Sequence, residues 1–236
     1  MKGDNARYRV NPETGAWEIP FIVDQAIPVK NIPTYAIRVR CKERDSTGSP
    51  STTVMSYIAH KQVLVAFFAH LGPKLESSVT ISRKGHSTGL VRRQWLPVLT
   101  VYNGKPDVYG VVLEYAYEQD PELILRSLLG DRVFPQVSLC TEEIFQGSPR
   151  PISALPIAER RAAVQIEEEH TYEEIAGVLL YLDEIFDLAD ELGLEAPPFW
   201  NALACVRRIV LDAGAISYLH HLEALVDAEA EAASSA

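Results

Sequence analysis

The sequence SRKGHSTGLVRR, residues 82–93, can form either the nucleophile elbow of a hydrolase or a β-hairpin, and this choice decides the fold class. Its centre, residues 85–89, matches G-x-S-x-G, the turn that presents a nucleophilic serine between a buried strand and a helix in many hydrolases. The residues before this turn alternate in polarity and end in two cations, and Pro97 after it disfavours a helix. We therefore predict that residues 82–93 form the tip of a β-hairpin between two strands.

Strand patterns surround this hairpin and predict a β-rich N-terminal region. The predicted strands are Ala16–Asp24, Tyr35–Lys42, Ser78–Lys84, Leu90–Tyr102, Val108–Tyr117 and Phe134–Cys140. Apolar and polar residues alternate in the second of these strands. Because successive strand residues point to opposite faces, Arg38, Arg40 and Lys42 are expected together on the solvent face.

Two helices are expected among these strands. One covers His60–Leu71 and is stopped by a Gly-Pro pair. The other begins at Asp120-Pro121, because Asp is a preferred N-cap and Pro is tolerated at the first helical position, and it ends at Gly130.

Helical patterns dominate the C-terminal part of the chain, where about four helices are expected. Thr171 and Glu174 form a capping box at the start of one helix, which Gly193 ends. Pro197-Pro198 opens the next helix, which is expected to end near Gly214 before a final one begins. Short loops between such helices are typical of an antiparallel bundle.

The predicted fold class is therefore α+β, with a β-rich N-terminal region of antiparallel hairpins and one or two helices, followed by an all-helical C-terminal bundle. The expected domains are a β-rich α+β domain with a basic face at residues 1–146 and an acidic helical bundle at residues 157–230. Residues 147–156, rich in proline and serine, are the expected linker. Residues 231–236 are expected to fray as a tail.

Charge is divided unevenly along the chain. Residues 1–110 contain 15 Lys and Arg against 8 Asp and Glu, a net charge of +7. Residues 111–236 contain 7 against 24, a net charge of −17. A basic half attracts polyanions and an acidic half repels them, so different partners are favoured for the two halves. The alternative is that the two halves attract each other.

The basic hairpin is the candidate nucleic-acid site. Arginine matches phosphate geometry, glycine lets the backbone approach, and hydroxyl groups add donors, while aromatic residues stack on bases. The expected nucleic-acid-binding residues are Arg83, Lys84, His86, Arg92, Arg93, Arg38, Arg40, Lys42 and Trp95. A solvated hairpin without a ligand is the alternative.

Two catalytic alternatives remain open at the same stretch. Ser87 is the nucleophile if the G-x-S-x-G match is a true elbow, although the flanking residues favour strands. His86 among cations contains the parts for metal-independent RNA cleavage, a general base and charges for the transition state. No catalytic residue is favoured over the binding hypothesis.

No cofactor or metal site is expected. Glu167 and His170 form one Glu-x-x-His motif, whereas a di-iron bundle needs two such motifs. The three cysteines are isolated and odd in number, which favours a reducing, cytoplasmic environment. The apolar runs are too short to cross a bilayer, so no membrane contact is expected.

The favoured functional hypothesis is a non-enzymatic binding protein, a subunit or regulator of a nucleoprotein assembly. Nucleic acid is the expected partner of the basic region. The C-terminal helices are expected to bind another protein or to self-associate. The alternatives are a protein–protein interaction module, a nucleic-acid-mimicking inhibitor that acts through the acidic bundle, and a serine hydrolase.

Overall fold

The computed structural model describes residues 9–10, 12, 15, 17–24, 34–44, 50–71, 75, 87–88, 91–102, 106–146 and 155–234. The chain divides into two compact units, Met1–Tyr117 with Asp187–Glu195, and Glu118–Phe186 with Ala196–Ala236. A small sheet in the N-terminal half is followed by an all-helical C-terminal region, which confirms the predicted α+β class. Residues 147–154 lie outside the described part, and the linker at 147–156 stays a prediction.

The first unit contains a six-stranded mixed sheet. Its strands are β1 (Arg9–Val10), β2 (Trp17–Asp24), β3 (Tyr35–Arg44), β4 (Pro50–Ala59), β5 (Ser87–Thr88) and β6 (Val91–Tyr102). Their order is β1-β2-β6-β3-β4, with β5 paired to β6. Strand β6 is antiparallel to β2 and parallel to β3, and β3–β4 and β5–β6 are antiparallel. The strands predicted around β2, β3 and β6 are confirmed, whereas Ser78–Lys84 lies outside the described residues.

Strand β4 was not predicted from the sequence. It pairs with β3 over ten positions, from Tyr35 opposite Ala59 to Arg44 opposite Pro50. The run Thr52-Thr-Val54 carries the β-branched side chains that favour a pleated strand. The serine and glycine residues before it hid this signal, because they are typical of a loop.

Both faces of β3 contain buried residues. Tyr35, Ile37 and Val39 are buried on one face. On the other face, Ala36 forms a buried cluster with Ile19 and Leu96. The alternation in β3 predicted a single buried face, and this prediction is wrong at the N-terminal end of the strand.

Two helices belong to the first unit, α1 (Lys61–Phe67) and α2 (Pro106–Glu118). The helix predicted at His60–Leu71 is confirmed in α1. Helix α2 replaces the strand predicted at Val108–Tyr117, which is therefore wrong. The buried residues of α2 recur at helical spacing: Val108, Tyr109, Val112, Leu113, Tyr115 and Ala116. Pro106 begins the helix, where its missing N–H has no cost.

Five helices complete the described chain. They are α3 (Pro121–Ser138), α4 (Thr141–Gln146), α5 (Leu155–Glu169), α6 (Tyr172–Leu192) and α7 (Pro197–Ser234). Asp120 caps α3, because its Oδ1 accepts from the Glu122 N–H at 2.9 Å. The predicted capping box is also confirmed: the Thr171 N–H donates to Glu174 Oε2 at 2.9 Å, and the Glu174 N–H donates to Thr171 Oγ1 at 3.3 Å.

Three sequence predictions in these helices need correction. The strand predicted at Phe134–Cys140 is largely the C-terminal part of α3, whose buried Val133, Phe134 and Val137 have helical spacing. Gly130 does leave helical geometry, with φ of 76°, but the helix resumes after it. Gly214 does not end a helix: α7 runs through it, and a Cβ there would lie 3.5 Å from Ile175 Cγ2.

The second unit is held together by helices that pack side by side. Asp183 of α6 forms an ion pair with Arg207 of α7. Earlier in α6, Ile175 lies against Gly214, which comes later in α7. The two helices therefore run antiparallel. The amide of Gln136 in α3 donates to Gln165 of α5 at 3.3 Å. Helices α3, α4 and α5 all pack against α7. Helix α7 is therefore the central element of this unit.

Candidate interaction sites

The β5–β6 hairpin occupies the stretch that decided the fold class. Ser87 of β5 pairs with Arg92 of β6, and Thr88 pairs with Val91, in an antiparallel register. An antiparallel strand pair at this position is confirmed, but residues 87–88 and 91–93 lie in strands, whereas the prediction placed them in the hairpin tip. Arg83, Lys84 and His86 lie outside the described residues.

The backbone around Ser87 differs from that of a nucleophile elbow. Such an elbow needs a helix directly after the serine. Here Ser87 lies in a two-residue strand, and the next element is the twelve-residue strand β6. The local backbone thus matches a hairpin and gives no support to the serine hydrolase alternative.

The strand register separates the cations that the sequence grouped together. Strands β3 and β6 are adjacent, as the predicted basic face requires, but Arg38 pairs with Thr100 and Arg40 with Tyr102. Arg93 lies seven residues before Thr100 in β6. At a rise of about 3.3 Å per residue, that is a separation of roughly 23 Å along the strand. Two cationic groups therefore lie toward opposite ends of β6, with Arg92, Arg93 and Trp95 at one end.

The solvent face expected for the β3 cations is partly covered. Ala36 is 1% exposed and lies on the same face as Arg38, two residues along the strand. Arg38 itself is half-buried, and its Nε atom is buried. The backbones of Arg40 and Lys42 continue along β3. The part of this face at Ala36 and Arg38 is therefore less open to a polyanion than the alternation predicted.

The C-terminal part of α7 presents exposed apolar side chains. Ala213 is the last buried residue of α7 among those up to residue 228 whose burial is described, and every residue from 218 to 228 is exposed. We call residues 218–234 the α7 extension. Its exposed apolar side chains recur on one helical face, with 39% to 64% of each exposed: Tyr218, Leu219, Leu222, Leu225 and Val226.

The beginning of the α7 extension is tied to the neighbouring helices. The His220 Nδ1 atom lies 2.9 Å from Glu167 Oε1 of α5. Tyr218 and His221 line a small pocket with Tyr172 and Glu173 of α6. From Leu222 onward, no hydrogen bond to another helix occurs within the described residues. The extension therefore leaves the bundle with its apolar face uncovered.

A groove between α3 and α5 is the second candidate surface of this unit, and we call it the α5 groove. It has a volume of about 720 Å³ and is lined mainly by the outer face of α5, with Gln136 of α3 beside it. Ile157 and Val164 supply exposed apolar surface, and Arg160 and Arg161 supply positive charge. Glu168 and Glu169 also line the groove, which thus combines apolar surface with charges of both signs.

The ionisable cluster around Glu159 has a structural role, because its contacts join α5 to α7. Arg208 of α7 donates from Nη2 and Nε to Glu159 of α5, and the Cys205 thiol donates to the same carboxylate at 3.5 Å. Burial raises the pKa of the Cys205 thiol to about 12, and the Glu159 charge adds to the rise. The hydrogen bonds to Glu159 raise the pKa of Arg208. The thiol therefore stays neutral and unreactive at neutral pH.

Within the described residues, no group of three or more His, Cys, Asp or Glu side chains is arranged to hold a metal ion. None of the described helices combines the length and hydrophobicity needed to cross a lipid bilayer. Comparison of the chain with protein-family models, with curated protein sequences and with solved structures found no match.

Sequence reasoning missed both the α7 extension and the α5 groove as sites. The apolar spacing of Ile216, Leu219, Leu222, Leu225 and Val226 predicts a separate final helix of the bundle and not an exposed surface. A usable signal was the lack of another predicted element to cover that stripe. The groove gave no such signal, because it depends on how α3 packs beside α5.

Proposed function

We propose that this chain is a non-enzymatic binding protein, a subunit or regulator of a larger assembly, which holds a protein partner through the α7 extension. One observation carries the proposal: five exposed apolar side chains lie on one face of the α7 extension, which from Leu222 onward has no hydrogen bond to another helix within the described residues. Contiguous exposed apolar surface is typical of protein–protein interfaces, because its burial is the main favourable term in association.

The test is co-purification of the tagged full-length chain from its native host after nuclease treatment. Val226→Glu places a charge on the apolar face, while Leu180→Glu is the matched control, because Val226 and Leu180 are both 64% exposed. We expect the native chain and Leu180→Glu to retain the same bound protein and Val226→Glu to lose it. Equal retention by both variants, or no bound protein on the native chain, contradicts the proposal.

Nucleic-acid binding through the basic hairpin is the second candidate function. With this function, the proposed assembly contains both protein and nucleic acid. The observation that favours it is the net charge of +7 in residues 1–110, together with a tight hairpin that has Arg92 and Arg93 close to its turn. The backbone separation between these arginines and the β3 cations favours the hairpin as the primary contact, with Arg83, Lys84 and His86 adjoining it in sequence. Phosphate contacts of this kind depend on charge and not on base sequence.

A further inference from the structure

Two tyrosines and a carboxylate meet in one cavity between α6 and α7, which we call the α6–α7 pocket. It has a volume of about 410 Å³ and is lined by Tyr172 and Glu173 of α6 and by Ser217, Tyr218 and His221 of α7. Cavities of a few hundred Å³ are typical of small-molecule sites. The pocket therefore has room for a small organic ligand.

Close approach of the two helices brings these side chains together. Ile175 of α6 is buried, and a Cβ at Gly214 of α7 would lie 3.5 Å from its Cγ2. Tyr172 precedes Ile175 by three residues and Tyr218 follows Gly214 by four, so each tyrosine lies about one helical turn from this approach. Because the helices run antiparallel, both tyrosines lie beyond the approach at the same end of the helix pair.

The aromatic rings of the pocket favour a positively charged ligand. Tyr172 is 51% exposed and Tyr218 is 52% exposed, so each ring keeps surface that a ligand can cover. The face of an aromatic ring carries negative charge density, which attracts an ammonium group within about 6 Å of the ring centre. Aromatic rings that line one cavity are typical of sites that bind organic cations.

The charged residues around the pocket also favour a cation. The Glu173 side chain is exposed, and it forms no ion pair or hydrogen bond within the described residues. Residues 167–174 contain five Glu and no Lys or Arg. Residues 216–229 of α7 contain two Glu, one Asp and no Lys or Arg. A ligand that approaches the pocket therefore meets carboxylates from both helices, which disfavour an anion.

The positive end of the α6 dipole is outweighed by these carboxylates. Glu173 and Glu174 both lie in the first turn of α6, and Glu174 Oε2 accepts from the Thr171 N–H at 2.9 Å. A helix N-terminus carries about half of one positive charge, which is less than the charge of the two carboxylates. The helix end thus does not prevent a cation from binding beside it.

We infer that the α6–α7 pocket binds an alkylammonium group. The positive charge lies against the rings of Tyr172 and Tyr218 and pairs with Glu173, and the Ser217 hydroxyl accepts a further hydrogen bond. Such a group comes either from a free amine or from a lysine side chain of another protein. The inference goes beyond the proposed function, because Val226, on which that function is tested, does not line the pocket.

The test is an NMR titration of the full isotope-labelled chain with butylammonium, with 1-butanol as the uncharged probe of similar size. It is carried out at about pH 8, where histidine is ordinarily neutral. Saturable shifts of the backbone amide signals of the lining residues are expected with butylammonium, and weaker binding is expected with butanol. The absence of a saturable shift, or equal affinity for the two probes, overturns the inference.

Two pairs of variants test the contacts. Tyr172→Leu with Tyr218→Leu removes both rings and is expected to raise the butylammonium Kd at least about fivefold, whereas Tyr172→Phe with Tyr218→Phe keeps the Kd within about twofold. Glu173→Gln is expected to raise the Kd at least about threefold. Glu168→Gln, an exposed carboxylate that lines the α5 groove instead, is the control and stays within about twofold of the native Kd. Equal effects within either pair overturn the inference.

A second probe distinguishes the two sources of the ammonium group. Lysine with its amino and carboxyl groups blocked presents the same charge on a peptide backbone. Binding at least as tight as that of butylammonium assigns the pocket to a lysine side chain, and weaker binding assigns it to a free amine. Amide signals away from the pocket show that each variant keeps its fold. None of these measurements involves Val226 or a host protein, so their failure leaves the proposed function standing.

Discussion

Arg208 of α7 binds Glu159 of α5 through two nitrogens, with Nη2 at 2.5 Å and Nε at 3.1 Å from the same carboxylate oxygen, Oε1. The Glu159 side chain is only 12% exposed, whereas Arg208 remains 52% exposed. A charge-assisted contact of this geometry is stronger than a neutral hydrogen bond. It fixes α5 against the central helix of the second unit.

Arg208→Met is expected to lower the free energy of unfolding by about 1–3 kcal/mol, because it leaves a mostly buried carboxylate without its partner. Arg207→Met is the matched control. Arg207 pairs with Asp183 at 3.2 Å, but both side chains are more than half exposed, so its loss is expected to cost less than about 1 kcal/mol. Urea denaturation of both variants measures the difference, and equal losses contradict this role for Arg208.

Gly193 ends α6 with φ of 69°, and a Cβ there would lie 3.0 Å from the His70 ring. Gly193→Ala is therefore expected to destabilise the protein by more than about 1 kcal/mol, since it adds both strain and a collision. Gly177→Ala in the same helix is the control, because a Cβ at that position would have no neighbouring atom within 4 Å. That change is expected to stabilise by up to about 1 kcal/mol. Thermal unfolding measures the Tm of both variants. If both Tm values shift in the same direction, the result argues against this role for Gly193.

The capping box at Thr171 predicts an acid-dependent contribution to stability. Hydrogen bonds from the Thr171 backbone and side chain hold the pKa of Glu174 below its ordinary value. A lowered carboxyl pKa stabilises the fold above the unfolded-state pKa, and this stability is lost as the pH falls through the folded-state pKa. Glu174→Gln is expected to be less stable than the native chain at pH 7 and to match it at strongly acidic pH. Glu173→Gln, in the same helical turn, is the control and should show a smaller difference at pH 7.

Salt dependence tests the second candidate function. If the hairpin binds phosphates, the affinity for single-stranded or double-stranded nucleic acid falls steeply with salt concentration. Arg92→Ala with Arg93→Ala is expected to reduce the slope of log K against log salt by roughly 1–2 units. Arg160→Ala with Arg161→Ala, an adjacent arginine pair in the acidic half, is expected to leave the slope unchanged. Absence of binding at low salt excludes this function.

Local signals predicted the elements that depend on a few neighbouring residues. The Asp120 cap and the Thr171–Glu174 box involve contacts within three residues, and both are present in the structure. Strand β6 was predicted because Pro97 disfavours a helix and the apolar residues around it favour a strand. Each of these features is decided by its own sequence.

Tertiary packing decided the elements that sequence reasoning missed. The segment 108–117 is rich in the valine and tyrosine residues that favour strands, yet its buried positions follow helical spacing in α2. The extent of the predicted basic face also depends on tertiary structure. Alternation within β3 placed its cations on one face, but only the pairing of Arg38 with Thr100 reveals their distance from Arg93. Register between strands distant in sequence is not encoded in either strand alone.

The most direct test of the central claim, that the α7 extension is a protein-binding surface, is site-specific photo-cross-linking. A photoreactive phenylalanine analogue replaces Val226, or Leu180 as the equally exposed control, in the full chain within its native host. After nuclease treatment, a defined protein adduct is expected from position 226 and none from position 180. The same adducts from both positions, or none from position 226, would contradict the claim.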